Sequence, residues 1–96
     1  DCAYIYFNEQ HVGKGIREAI AESNGQLKRE DFFIVSKCWN TCHSKAKVGK
    51  CLDGILERFG LGYLDLYLIH WPMGFKVIFF SLLLIKILVL ILYIVN

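Results

Sequence analysis

Apolar residues recur along this chain in two patterns. Residues 63–72 are a run of β-formers, apolar on both alternating faces, that ends abruptly at His70, Trp71 and Pro72. That pattern predicts a buried parallel strand whose last side chain reaches an active-site mouth. A second run, 32–37, finishes on Lys37 and is followed by Trp39. Between them, Val48, Cys51, Leu52, Ile55, Leu56 and Phe59 return every three or four residues and predict one helix, with Ser44 as its cap and Gly60 as its stop. Gly49 and Gly54 each cost that helix about 0.5–1 kcal/mol relative to alanine, so it depends on packing against a sheet. Upstream, Asn8 is an N-cap and Glu9 suits the first turn of another helix. Its Val12, Ile16, Ala19 and Ile20 face a core, Lys14, Arg17, Glu18 and Glu22 turn away, and Ser23, Asn24 and Gly25 stop it. The short apolar stretch 1–7 reads as the end of an earlier strand, and 28–31 as a polar connector.

Strand end, helix, strand, helix, strand is the order of an α/β protein with parallel crossovers. A (β/α)₈ barrel and a doubly wound sheet share it. No glycine-rich phosphate loop follows either run, which argues against the doubly wound dinucleotide unit. Asp1 with Tyr6, Lys37, and His70 instead fall at three successive strand ends, where a barrel assembles its active site. The expected fold is therefore a fragment of a (β/α)₈ TIM barrel, about strands 2–4 with the intervening helices, plus a hydrophobic C-terminal helix.

Composition changes this picture at one place. Hydrophobic residues make up 55% of the 96 residues, and the excess lies in 75–96, which contains no Asp, Glu, Gly or Pro. A net charge of +2, with eleven Lys and Arg interleaved among nine acids, gives no reason to expect a nucleic-acid partner. Cys2, Cys38, Cys42 and Cys51 lack the paired spacing of a zinc site and read as buried, reduced thiols. With no apolar stretch of secretory-signal length at the N-terminus, the reading is a reducing compartment, the cytoplasm. The chain starts without methionine, at a residue with a proposed catalytic role, which suggests a partial chain.

Four groups of residues carry a specific resemblance. They are Asp1, Tyr6, Asn8 and Glu9 with Gly13; Arg29 and Asp31; Ser36-Lys37-Cys38-Trp39; and Leu66-Tyr67-Leu68-Ile69-His70-Trp71-Pro72. In this order they resemble the aldo-keto reductase superfamily, its aldose and aldehyde reductase branch above all, and the 72–76 continuation is similar to 1,5-anhydro-fructose reductases. The resemblance runs over residues 1–76. It implies NADPH-dependent reduction of an aldehyde or ketone to an alcohol by a tetrad of Asp1, Tyr6, Lys37 and His70. The residue types suit the chemistry, because a carbonyl oxygen that receives hydride at its carbon needs a proton. A free tyrosine, with a pKa of about 10, is a poor acid at neutral pH, and a neighbouring ammonium makes it a better one. The resemblance thus makes Tyr6 the proton donor, Lys37 its tuner, Asp1 the residue that positions Lys37 and lies near the nicotinamide ribose, and His70 the group that orients the carbonyl oxygen. The resemblance also implies that Trp39 and Trp71, with Tyr6 and His70, line the substrate pocket. Tyr4, Tyr63, Tyr67 and Tyr93 read as core residues with satisfied hydroxyls, and His11 and His43 as surface residues. The implied partner is a small carbonyl compound, and the implied state a monomer.

Past Lys76 the resemblance stops. Residues 77–95 are nineteen positions, apolar but for Ser81 and Lys86, enough to cross a hydrocarbon core of ~30 Å. A central Lys86 costs roughly 2.5–3.5 kcal/mol, which the Leu and Ile residues at about −0.3 to −0.6 kcal/mol each outweigh. The tail reads either as a transmembrane helix or as sequence translated from beyond an exon, since its residues are those of AT-rich codons. The two expected functions are a carbonyl reductase represented by a partial chain, inactive by itself, and a membrane-anchored remnant without catalysis.

Overall fold

The computed structural model describes residues 1–76, so the predicted span 77–95 and Tyr93 lie outside the described residues. Among the described residues no helix is long and apolar enough to cross a membrane. The described residues form two helices, α1 (Glu9–Glu22) and α2 (Lys45–Phe59), and two strands, β1 (Val35–Cys38) and β2 (Leu66–Ile69), with 3₁₀ turns at Tyr4–Tyr6 and Arg29–Asp31. The strands pair in parallel, Val35 with Leu66 and Cys38 with Ile69, as the crossover through α2 requires.

Residues 1–7 are not a strand. Asp1 to Ala3 lie along β1, where the Cys2 N–H donates to the Val35 carbonyl at 2.8 Å. The chain then tightens into the 3₁₀ turn, and Phe7 closes it in the left-handed region at φ 54°. The expected third strand is thereby absent from the described residues, and the sheet has two. The first strand also starts later than the apolar run. The N–H of Ile34 is taken by the Asp65 carboxylate at 2.7 Å rather than by a neighbouring strand. Arg29 binds that carboxylate at 2.8 Å and the Phe32 and Tyr63 carbonyls at 2.7 and 2.9 Å. The Ile34 N–H and the Arg29 guanidinium hold the Asp65 carboxyl below its usual range.

Both helices end where the sequence places their stops. Ser23 bonds the Ile20 carbonyl, followed by Asn24 at φ 52° and Gly25 at φ 81°. Gly60 turns left-handed at φ 62° and donates to Leu56 and Glu57. The caps differ from expectation: neither the Asn8 nor the Ser44 side chain bonds the first turn.

Ile55 and Phe59 of α2, Cys2 and Ile34 form the core, with Val12, Ile16, Cys51, Leu64 and Tyr67 packed on it. Val48, at the start of the predicted stripe, is 38% exposed. Strand β2 is exposed too, at Leu66, Leu68 and Ile69, whereas Ser36 and Cys38 of β1 are buried. Tyr4 and Tyr63 are likewise exposed rather than core residues, Tyr63 lying under the Arg29 guanidinium at 3.8 Å from its ring centre. Tyr67 does pack on the core, and its hydroxyl donates to the Val48 carbonyl at 3.3 Å.

Helix α1 crosses the C-terminal end of α2 at Gly13, where a Cβ would overlap the backbone of Phe59. Arg17, expected to turn away, donates instead to the Phe59 carbonyl, adding a cation to the negative end of α2. Gly13→Ala is expected to lower stability by about 1–3 kcal/mol, as overpacking at a close helix crossing does. Urea denaturation measures it, and an unchanged midpoint would show that the crossing relaxes freely.

Candidate active site

Four predicted residues meet at the C-terminal end of the sheet. In β1 the alternation of side chains sends Ser36 and Cys38 to one face and Lys37 to the other. The Lys37 side chain is 13% exposed. Its ammonium donates to the Asp1 carboxylate and to the Cys2 carbonyl, the latter at 2.7 Å. It lies 5.3 Å from the centre of the Tyr6 ring. Tyr6 is the last residue of the 3₁₀ turn, half exposed. The left-handed Phe7 directly after it lets the chain turn back toward α1 at once.

His70 follows β2 and its N–H donates to the Cys38 carbonyl at 3.1 Å, which seats it beside the end of β1. Its ring meets Tyr6 edge-on at 5.9 Å and Trp39 at 5.4 Å. Its Nδ1 is buried without a partner among the described residues. Burial, and secondarily the Lys37 charge, push the His70 pKa below 6.5. The imidazole is therefore expected to titrate below 6.5 when followed by nitrogen-15 NMR. The folded ring gives up its proton at a lower pH than the unfolded one, so its contribution to stability is present above 6.5 and is lost as the pH falls through the folded value. A midpoint at or above 6.5 would contradict this environment.

Trp39, just past β1, touches His70 on one side and Phe75 on the other, at 6.1 Å. Trp71 is 51% exposed and meets His70 at 6.2 Å. The structure thus brings Asp1, Tyr6, Lys37, His70, Trp39 and Trp71 to one end of the sheet. His11 is exposed, whereas His43, read as a surface residue, is partly covered with Nε2 buried.

Two features of the surroundings were not foreseen. The Cys2 carbonyl is the second acceptor for Lys37, a backbone group that no side-chain motif signals. Glu9, expected only to complement a helix end, is buried at 2% exposure. It accepts from Ser36 Oγ at 2.6 Å and from Arg58 Nε at 2.6 Å. A serine amid an apolar strand run was the available signal, since a buried hydroxyl needs a partner. The four cysteines are free, and burial raises the thiol pKa of Cys2, Cys38 and Cys42. Among the described residues no group of three or more His, Cys, Asp or Glu is placed to hold a metal ion.

Residues 1–88 match the aldo/keto reductase family. Aldose reductase B of Dictyostelium discoideum is 53% identical over 76 residues, which are 79% of this chain and 24% of that protein. D/L-glyceraldehyde reductase of Hypocrea jecorina is 55% identical over 75 residues, 78% of this chain and 22% of that protein. Among solved structures, an aldo-keto reductase of Bombyx mori in complex with NADP superposes with a TM-score of 0.75 at 45% identity, over 80% of this chain and 24% of that one. The solved structures it resembles are (β/α)₈ barrels. The chain spans about a quarter of the length of these relatives.

Proposed function

Because the chain belongs to the aldo/keto reductase family, we propose that residues 1–76 supply the proton-transfer side of a carbonyl-reducing site that works with NADP(H). The observation that carries this reading is the placement of a largely buried ammonium, held by Asp1 and the Cys2 carbonyl, beside the Tyr6 ring and facing the His70 imidazole.

When bound, the cofactor supplies hydride to the carbonyl carbon. Tyr6 Oη donates the proton that the carbonyl oxygen then requires. Lys37 stabilises the negative charge left on the phenol, and Asp1 with the Cys2 carbonyl keeps that ammonium aimed. His70, kept neutral at pH 7 by burial, hydrogen-bonds the carbonyl oxygen and fixes its direction toward Tyr6. Trp39 and Trp71 give the pocket apolar walls. Asp1, whose carboxylate is 64% exposed, fits a contact with the hydroxyls of a nicotinamide ribose. The relatives named for glyceraldehyde and aldose support small aldehydes as the substrate class. The four free thiols, those of Cys2 and Cys38 buried and those of Cys42 and Cys51 partly so, suit a reducing compartment such as the cytoplasm.

The 96-residue chain by itself is proposed to be inactive. Tyr6 is half exposed, and β2 presents Leu66, Leu68 and Ile69 to water, so the site is not closed against solvent. The test is a graft of residues 1–76 in place of the matching segment of the Dictyostelium aldose reductase B. NADPH oxidation with glyceraldehyde is expected from the graft and not from the isolated chain. A folded graft without turnover would refute the assignment, and turnover by the chain alone would refute its inactivity.

A further inference from the structure

Two cysteines with no part in the tetrad open onto one cavity. It holds about 210 Å³ between the loop after β1 and helix α2, and its walls include Trp39, Cys42, Lys50, Cys51 and Arg58. Cys42 belongs to the loop, where its N–H closes a turn on the Trp39 carbonyl at 2.8 Å. Cys51 belongs to α2, in the stripe that carries Ile55 and Phe59, and it packs on the core. Its thiol neighbours those of both Cys42 and Cys38. Cys42 and Cys51 are free and partly exposed. Cys38 is different: it is 2% exposed, is not among the cavity walls, and its Sγ donates to the Trp39 and Cys42 carbonyls at 3.8 and 3.7 Å. Of three clustered thiols, the same two line an opening that a small solute can enter.

We propose that Cys42 and Cys51 are an oxidisable pair that hydrogen peroxide closes into a disulfide. Cys51 reacts first. Its thiolate attacks one peroxide oxygen, the O–O bond breaks, hydroxide leaves, and Cys51 becomes a sulfenic acid. The Cys42 sulfur then attacks the Cys51 sulfur, the S–O bond breaks, and water leaves. In sum, two thiols and one hydrogen peroxide give one disulfide and two waters, the sulfurs passing two electrons to the peroxide. Cys42 comes second because it is held protonated: burial above all, with the Cys51 thiol adding to it, raises its pKa. A disulfide requires Cα atoms about 4.4–6.8 Å apart, and the loop, paired in neither strand nor helix, takes up the adjustment. Closure ties that loop to α2. Trp39, in the same loop and on the same cavity wall, meets the His70 ring at 5.4 Å, so the tie also fixes a residue beside the candidate site. A dithiol reductant reopens the bridge by exchange. None of this chemistry rests on carbonyl reduction.

The test treats the folded 96-residue chain with hydrogen peroxide, alkylates the remaining thiols in urea, and maps the products by mass spectrometry. Two of the four thiols should be lost, and dithiothreitol should restore both. Trypsin cuts after Lys37, Lys45, Lys50 and Arg58, so the bridge should join peptide 38–45 to peptide 51–58. The first of these carries Cys38 as well as Cys42, and fragmentation of the joined pair should place the bond at Cys42. Cys38→Ala should keep the bridge, whereas Cys42→Ser and Cys51→Ser should each abolish it. The fragmentation result needs no substitution, so a variant that fails to fold does not spoil the test. A bond at Cys38, a bridge between two chains, sulfinic acid at Cys51 without a bridge, or four thiols still free after treatment would overturn the proposal.

Discussion

Tyr6→Phe in the completed graft is expected to lower kcat for glyceraldehyde reduction by about 10²–10⁴-fold, the range over which a positioned proton donor contributes. The substitution removes one oxygen and keeps the ring that lies 5.3 Å from the Lys37 ammonium and 5.9 Å from the His70 ring. Packing should therefore be preserved and NADPH affinity unaltered. Stopped-flow measurement of the hydride step separates this loss from slower cofactor release. A loss under tenfold would mean that another group delivers the proton, with His70, already at the same end of the sheet, the first to examine.

Arg58→Met is expected to destabilise the fold by about 3–5 kcal/mol, the cost of leaving a buried charge without its partner. The Glu9 side chain is 1% exposed and shares its two oxygens between Ser36 and Arg58, so removal of Arg58 strands a carboxylate inside the protein. Against a typical total of about 5–15 kcal/mol, that is a large fraction. Adding Glu9→Gln should recover part of the loss, since a neutral amide still accepts from Ser36. Urea denaturation of both variants reads the effect. A change below about 1 kcal/mol for Arg58→Met would show that the Glu9 carboxylate reaches water through the opening left by the arginine.

Helix periodicity was the most legible part of the fold. The stripe from Val48 to Phe59 and the stops at Ser23 and Gly60 locate α1 and α2 closely, because a helix contains its own hydrogen bonds and its pattern is local. Strands borrow their partners from elsewhere, and here the reading was weaker. Seven mostly apolar residues at the N-terminus suit a strand or a turn equally well, and the left-handed Phe7 that decides for the turn has no residue-type signal. The run at 63–72 looked buried on both faces, yet burial depends on neighbours that the run itself does not specify. Lys37 and His70 were legible because each is a polar residue ending an apolar run. Arg17 and Glu9 were not, since a charged residue on a helix reads as solvated until a distant partner is found. The Phe59 carbonyl, 42 residues from Arg17, is such a partner. Asn40 was hidden for the same reason: in a loop of mostly polar residues, nothing in sequence marks the one that is fully buried.

The central claim is that Tyr6 and Lys37 act as one proton-delivering unit. Its most direct test is the rate of the Tyr6→Phe/Lys37→Met double variant of the graft against the two single variants. Residues that act as a unit are strongly non-additive, so the double variant should be no slower than the slower single by more than a few-fold. Losses that multiply would mean that Tyr6 and Lys37 contribute independently, and would contradict the account.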